Sequence, residues 1–197
     1  MDRTANLLGA AALALTDLTL GDAGKAAGVS VSGAAALVTL TASPGVSVTE
    51  LGRRVGLTQS AAARMVDSLE SDGLVERRPN PFNNRWVTVR PTRAGRRAAH
   101  RLLAARGGPL TDVVTVLDDE ERRALADLLA KLLTRLYERV GNAQYMCRLC
   151  DRACCTRDSF CPIGAAERRA AADTGTGTGT DLGTGTGTGT GTGAGER

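Results

Sequence analysis

Two short helix patterns separated by a single glycine constrain the fold more than any other feature of the sequence. Ser47 and Glu50 have the spacing of a capping box, so a helix is expected to begin there and to end at Gly56. Thr58 can cap a second helix, whose apolar positions recur at spacings of three and four. These positions are Ala62, Met65, Val66 and Leu69. Two helices joined by so tight a turn form a helix-turn-helix unit.

A β-hairpin is predicted directly behind this unit. The second helix closes at Gly73, residues 74–78 and 85–90 have the composition of strands, and the residues between them that of a turn. A hairpin in this place is a wing. Thr92 then caps a further helix, which is expected to fade at the sequence Gly-Gly-Pro at 107–109.

Helices are also predicted on both sides of the winged unit. A short helix runs from about Ser32 to Leu40, and a long one begins at Asp118. The first and last helices each carry a wide apolar stripe. Its residues are Leu7, Leu8, Ala11, Ala12, Leu15 and Leu18 in the first helix and Leu125, Leu128, Leu129, Leu132, Leu136 and Val140 in the last. So much apolar surface exceeds what a small winged domain covers, which indicates a helical dimer interface.

Positive charge is concentrated in the middle of the chain. Residues 53–106 hold 12 Arg and four acidic residues, a net charge of +8 in a chain whose total is +4. A general preference for Arg over Lys explains the type of residue but not its clustering. A segment this positive is expected to bind a polyanion.

This part of the sequence closely resembles the DNA-binding half of the MarR family of bacterial transcription regulators. The residues that carry the resemblance are 47–51, 56–60, 64–67, 69–70, 72–75, 85 and 91–95. The resemblance implies a homodimer that places two recognition helices in successive major grooves of a near-palindromic operator, with its wings near the minor groove. It further implies a repressor that a small molecule, a metal or an oxidant releases from double-stranded DNA.

The second helix of the unit and the wing supply the predicted DNA contacts. Base readout is assigned to the start of the helix, and phosphate and minor-groove contacts to the wing. The predicted residues are Thr58, Gln59, Ser60, Ala61 and Arg64 in the helix, Arg85 at the minor groove, and Arg77, Arg78 and Arg90 at phosphates. Ala61 and Ala63 replace the hydroxyl side chains that are common in the family, so fewer direct contacts to bases are expected. Asn83 replaces an Asp and can orient the Arg85 guanidinium by accepting a hydrogen bond.

All five cysteines fall within 15 residues, from Cys147 to Cys161. The Cys-x2-Cys pattern presents two thiolates to one tetrahedral ion, and a further pair downstream completes four ligands. Structural zinc is therefore preferred, while a dithiol redox switch, an iron–sulfur cluster and unligated thiols stay open. The segment also resembles a cysteine-rich extension of some MarR-like regulators. That resemblance implies Cys147, Cys150, Cys155 and Cys161 as ligands and leaves Cys154 spare. The nearby Arg148, Arg152 and Arg157 are expected to lower the thiol pKa values.

The predicted fold class is mainly α with a small β-wing, a winged helix-turn-helix with flanking helices that form a dimerisation region. Three parts of the chain are expected. Residues 1–146 form the winged domain, with the DNA-binding part at about 47–96 and dimerisation helices at about 4–22 and 117–146. Residues 147–165 form the cysteine-rich segment, and residues 166–197 a disordered tail in which Thr and Gly alternate.

Other locations and other function classes fit the sequence less well. No apolar run is long enough to span a membrane, and Asp17 and Asp22 argue against a signal peptide, so the cytoplasm is expected. A thiol-dependent redox enzyme would need a general base, and the single histidine, His100, is expected to face solvent. A winged-helix scaffold that binds protein would be favoured by a wing without positive charge, and this wing is positive.

Overall fold

The computed structural model describes residues 2–175, with the side chains of residues 20–27, 84, 174 and 175 outside the description. The described residues form helices and one antiparallel two-stranded sheet. The elements are α1 (Arg3–Ala27), α2 (Val31–Ala42), α3 (Val48–Val55), α4 (Gln59–Ser71), β1 (Val75–Asn80), β2 (Asn83–Pro91), α5 (Arg93–Val114), α6 (Asp119–Val140), α7 (Ala143–Met146), α8 (Arg152–Cys155) and α9 (Pro162–Gly175). This order confirms the mainly α fold with a small β-wing and flanking helices, while the dimerisation role of those helices stays a prediction.

The helix-turn-helix unit forms from the local signals that predict it. The Ser47 hydroxyl accepts the Glu50 N–H at 3.1 Å and starts α3. Gly56 ends α3 with φ at 77°, a left-handed conformation that glycine adopts at little cost. Two residues later the Thr58 hydroxyl accepts the Ala61 N–H at 3.3 Å and starts α4. The spacing of these caps therefore sets the turn.

The predicted capping box at α3 is only half formed. The Glu50 carboxylate accepts hydrogen bonds from Arg53 at 2.8 Å and Arg54 at 2.7 Å, and not from the backbone N–H of Ser47. Charge-assisted bonds of this kind are stronger than a bond to a neutral amide. The hydrogen bond from Arg53 is the main cause that lowers the pKa of Glu50 from 4.5 to about 2.

Helix α2 lies at the centre of the hydrophobic core. The Ser30 hydroxyl caps it, and every residue from 33 to 40 is buried. It packs against α3, α4, α5 and β2, so apolar side chains surround it on all sides. Among the side chains that the structure describes, the largest fully buried ones are Leu37, Leu40, Leu51, Leu102, Val66, Val75 and Val89.

The wing hairpin is longer than the sequence predicts. The strands extend to Asn80 and back from Asn83, which leaves only two residues in the turn. The Asn80 side chain accepts the N–H of Phe82 at 2.8 Å, and the Asn83 side chain accepts the N–H of Arg85 at 3.1 Å. Asparagine side chains that bond the backbone two residues on close turns tightly, which accounts for the short loop. Asn83 thus orients the backbone of Arg85, in place of the guanidinium contact that the sequence predicts.

The prediction that the helix after Thr92 fades at residues 107–109 is wrong. Helix α5 continues through Gly107, Gly108 and Pro109 to Val114. Proline within a helix removes one backbone hydrogen bond, and each interior glycine costs about 1 kcal/mol. Packing of α5 along α1 favours the helix over these local costs.

The chain after the cysteines is more ordered than predicted. Helix α9 begins at Pro162 and includes residues 166–175, so disorder is the wrong prediction for that part of the tail. Its alanine-rich sequence has high helix propensity, Pro162 suits the first helical position, and Ala166 is buried where α9 packs on α6. The remaining tail, residues 176–197, lies outside the described residues.

The two long flanking helices keep their apolar stripes in contact with solvent. Helix α6 begins where the sequence predicts, with a capping box formed by Asp118 and Glu121, but it stops at Gly141 and α7 follows as a separate turn. None of the residues of α6 is buried. Leu128, Leu129, Leu132, Leu136 and Val140 are each more than two-fifths exposed, as are Leu7, Leu8 and Leu18 on α1. Within residues 2–175, no helix combines the length and apolar character that crossing a bilayer requires.

Candidate nucleic-acid interface and cysteine cluster

One face of α4 is buried in the core and the other is open. Its four predicted apolar residues are buried, whereas Thr58, Gln59, Ser60 and Arg64 are exposed and Ala61 is half-buried. The exposed residues lie in the first two turns, the part of a recognition helix that meets base edges. An amide and a guanidinium at this end can each form paired hydrogen bonds with a base.

Arg77 connects the wing to α4. Its guanidinium forms ion pairs with Asp67 and Glu70, and its backbone N–H donates to Glu70 at 2.9 Å. A guanidinium engaged by two carboxylates has little capacity left for a phosphate. The structure therefore favours a structural role for Arg77, which fixes the angle between β1 and α4, over the predicted phosphate contact.

The other wing arginines differ in their freedom. Arg85 is exposed near the tip, and the described residues include no ion pair for its guanidinium. Arg78 is exposed and pairs with Glu76 at 2.8 Å. Arg90 is half-buried at the base, opposite Glu76 in the sheet, with its guanidinium beside Gly45. Arg85 is thus the wing residue most open to a ligand.

Two exposed aromatic residues lie at the wing tip, and the sequence reasoning missed both. Phe82 is 97% exposed and Trp86 is 66% exposed. Large apolar side chains that no core residue covers mark a contact surface. The sequence does place both residues beside the turn of a polar hairpin, far from any predicted core residue, and this position could have indicated that they are exposed.

Four of the five cysteines line the same two adjoining cavities, of about 360 and 250 Å³. They are Cys147, Cys150, Cys155 and Cys161, the set that the resemblance implies as ligands, and Cys154 lines neither cavity. His100 lines neither cavity and is exposed on α5. Within the described part of the chain, no three Cys, His, Asp or Glu side chains lie close enough to hold a metal ion as they stand.

The thiols interact with one another as two pairs. Burial raises the pKa of Cys147 to about 11, and the neighbouring Cys161 raises it further. Burial likewise raises the pKa of Cys150 to about 12, with Cys155 as its partner. Arg152 lowers the pKa of Cys147 and Arg106 that of Cys150, but both effects are smaller than that of burial. The expectation of lowered thiol pKa values is therefore wrong for Cys147 and Cys150.

The comparisons with known proteins agree with this geometry. The MarR family model matches residues 30–87, which span α2, the helix-turn-helix unit and most of the wing. Residues 30–87 are thus similar to the MarR family over the part of the chain that holds the helix-turn-helix unit and the wing. The chain is 31% identical over 105 residues to an uncharacterized HTH-type transcriptional regulator, YdgJ of Bacillus subtilis. The aligned residues make up 53% of this chain and 64% of YdgJ. It is 28% identical over 96 residues to the HTH-type transcriptional repressor YetL of the same organism. These residues make up 49% of this chain and 55% of YetL.

The fold of the chain is also similar to that of a solved structure. The X-ray structure of the YusO protein from Bacillus subtilis superposes with a TM-score of 0.58 at 25% identity, over 66% of this chain and 91% of that chain. The matches to the two curated relatives span less than two thirds of their lengths. The cysteine-rich segment lies outside the residues that the family model matches.

The segment after α6 is docked on the turn between α3 and α4. The Asn142 side chain donates to the carbonyl of Arg53 at 3.2 Å and also accepts the N–H of Tyr145 at 3.0 Å. The Tyr145 ring covers Gly56 so closely that a Cβ there would lie 2.4 Å from Cε2. Leu149 packs against the hydrophobic core. Contacts between residues 89 positions apart have no local signal, so sequence patterns could not reveal this docking.

Proposed function

We propose that the chain is a transcription regulator that binds double-stranded DNA in the cytoplasm and acts as a homodimeric repressor, not as an enzyme. The observation that carries this proposal is the exposed start of α4, with Gln59, Ser60 and Arg64, beside a wing that exposes Arg85. The net positive charge of residues 53–106 supports a polyanionic partner. The repressor named among the relatives supports the direction of regulation.

A second copy of the chain is the proposed partner of α1 and α6. Both helices keep apolar stripes exposed, and although α7 and α9 pack on α6, none of its 22 residues is buried. A two-fold dimer would cover the stripes and present two α4 helices to half-sites about one helical turn apart on a near-palindrome. A small molecule, a metal or an oxidant would release DNA by changing the separation of those two helices.

The DNA proposal is tested by selecting bound sequences from a random pool and measuring affinity by fluorescence anisotropy. Arg64→Ala is expected to cost about 1–3 kcal/mol at the selected site and to relax preference at one position. Arg85→Ala is expected to weaken binding to many sequences and to reduce the dependence of affinity on salt. The control is Arg123→Ala, which removes the same charge from an exposed position on α6 and should leave affinity unchanged.

Specific outcomes would contradict the proposal. No enrichment in the pool, or equal affinities for the Arg64 and Arg85 variants and the parent, would refute DNA recognition by this face. Capture of a protein by the wing without DNA binding would favour the scaffold alternative, and thiol-dependent turnover of a substrate would favour the enzyme.

The dimer is tested separately by sedimentation. Leu132→Glu is expected to produce monomers and to weaken DNA binding, since it places a charge in the apolar stripe. Lys131→Glu changes the exposed neighbouring position and should leave the dimer intact. A monomeric parent chain at micromolar concentration would refute the proposed symmetry.

A further inference from the structure

The backbone brings four separated cysteines to one place. Cys147 is the C-cap residue directly after α7, and its carbonyl accepts the N–H of Cys150 at 3.0 Å. Cys155 is the last residue of α8, and Cys161 directly precedes α9. Cys154 is the neighbour of Cys155 on the same short helix but lines neither cavity. The fold thus selects four thiols and excludes the fifth.

Cys161 has the surroundings of a thiolate ligand. The N–H of Gly164 donates to its sulfur at 3.4 Å, and the N–H of Ala165 donates to its carbonyl at 2.9 Å. The sulfur therefore lies at the N-terminal end of the 14-residue α9, where backbone N–H groups favour negative charge. Backbone N–H donors to sulfur are typical outer partners of metal-bound thiolates.

Charge around the cavities is complementary to a metal–thiolate centre. A divalent ion with four thiolates carries a net charge of −2. Four arginines line the two cavities and one acidic residue, Glu167, faces them. The arginines are Arg106, Arg148, Arg152 and Arg168. Such surroundings suit four thiolates around a cation better than they suit a bare cation site.

The segment has little else to hold it together. Its buried apolar residues are Ala143, Ile163 and Ala166. Two of these are alanines, and helices α7 and α8 have four residues each. Segments with so small a core commonly depend on a metal or on disulfides, and all five thiols here are free.

We propose that Cys147, Cys150, Cys155 and Cys161 bind one zinc ion, and that this ion holds residues 142–175 against the turn between α3 and α4. Zinc is the ion that tetrahedral sets of four cysteines prefer. Closing the two thiol pairs on one ion requires side-chain rotations, which cost little compared with four metal–thiolate bonds.

The contact through which the ion acts is the one between Tyr145 and Gly56. Cys147 follows Tyr145 by two residues, so an ion that fixes Cys147 also fixes the ring over Gly56. The bond from Asn142 to the carbonyl of Arg53 holds the other side of the same turn. Because α4 begins three residues after Gly56, the ion stabilises the position of the recognition helix. This consequence rests on the proposed function, whereas the metal site does not.

The metal site is tested by elemental analysis of full-length protein purified without added metal. We expect one zinc per chain, its loss in Cys155→Ser, and its retention in Cys154→Ser, which is the matched control from the adjacent position. Zinc near zero, iron with visible absorbance, or retention in Cys155→Ser with loss in Cys154→Ser would overturn the assigned site. Analysis of the parent chain decides the matter even if a serine variant fails to fold.

The docking is tested by hydrogen exchange, which needs no DNA. Removing zinc with a chelator is expected to speed exchange at least tenfold in residues 142–165 and in the turn at residues 53–58. Tyr145→Ala is expected to keep its zinc and to speed exchange in the turn alone. Unchanged exchange in the turn under both conditions would overturn the docking role. A chain that gives these results but binds no DNA would refute the proposed function and leave this inference standing.

Discussion

A close approach between α3 and α4, at Gly52 and Ala62, gives the most specific prediction. In Gly52→Ala the new Cβ would lie 2.8 Å from the Cβ of Ala62 and 3.3 Å from the carbonyl oxygen of Leu57. Carbon atoms in contact prefer about 3.5–4.0 Å, so α3 and α4 must separate by a substantial part of an ångström. Gly52 and Ala62 are both buried, which leaves no side chain that could simply move into solvent.

The size of the effect follows from two opposing contributions. Overpacking a tight core costs about 1–3 kcal/mol, whereas alanine is better than glycine within a helix by about 1 kcal/mol. We therefore expect Gly52→Ala to lower the free energy of unfolding by about 1–2 kcal/mol. Ala62→Gly should cost about 2 kcal/mol, from the lost methyl group and the lower helix propensity of glycine.

The double variant separates the clash from other causes. In Gly52→Ala with Ala62→Gly, one methyl group replaces the other at the crossing, so only the milder contact with the Leu57 carbonyl oxygen, at 3.3 Å, remains strained. The cost should fall below the sum of the single variants by at least about 1 kcal/mol, a coupling typical of residues in contact. Urea unfolding followed by circular dichroism, at one protein concentration, measures all four chains. Costs that add within about 0.5 kcal/mol would refute the close approach as the cause.

Three further predictions test other contacts. Gly95→Ala would place a Cβ 2.0 Å from the backbone oxygen of Leu74, so unfolding should become easier by about 1–3 kcal/mol, while Gly107→Ala on the same helix meets nothing and should stabilise by about 0.5–1 kcal/mol. A similar cost for both variants would contradict this. Glu50→Gln should cost at most about 1 kcal/mol near neutral pH, since its ion pairs are partly exposed. Because folding lowers the pKa of Glu50 from 4.5 to about 2, this difference in urea unfolding should disappear as pH falls through that range, and a constant difference would refute it. Phe82→Ala should weaken DNA binding without changing stability, and equal affinity would show that the wing tip does not touch DNA.

The sequence predicts the helix-turn-helix unit well because its determinants are local. Ser47, Gly56 and Thr58 act within four residues of their own positions, through hydrogen bonds or backbone conformation. The four cysteines that the resemblance implies also line the same two cavities, while their role as metal ligands stays a prediction. Where a residue's role depends on its immediate neighbours in the chain, the pattern of residue types is sufficient.

Predictions fail where a distant contact decides. Gly107 and Pro109 disfavour a helix locally, but packing on α1 maintains one. Arg77 has the composition and place of a phosphate contact, but its charge is satisfied by Asp67 and Glu70 on α4. The contact of Tyr145 with Gly56 has no local signal in either segment. Each of these depends on a neighbour that only the folded chain brings into place.

The proposed dimer and the proposed zinc site are not independent, because α6 carries the apolar stripe of the one and packs against the helices on either side of the cysteines of the other. Within the described residues, the extensive packing of α6 is with α7 and α9, the two helices that flank the cysteines. Removal of zinc should therefore leave α6 without its support inside the chain and weaken the dimer as well. We expect sedimentation at several concentrations to show a raised dimer dissociation constant after chelation, restored by added zinc. Cys154→Ser should respond like the parent, and a dimer unaffected by chelation would show that α6 is held by the second copy alone.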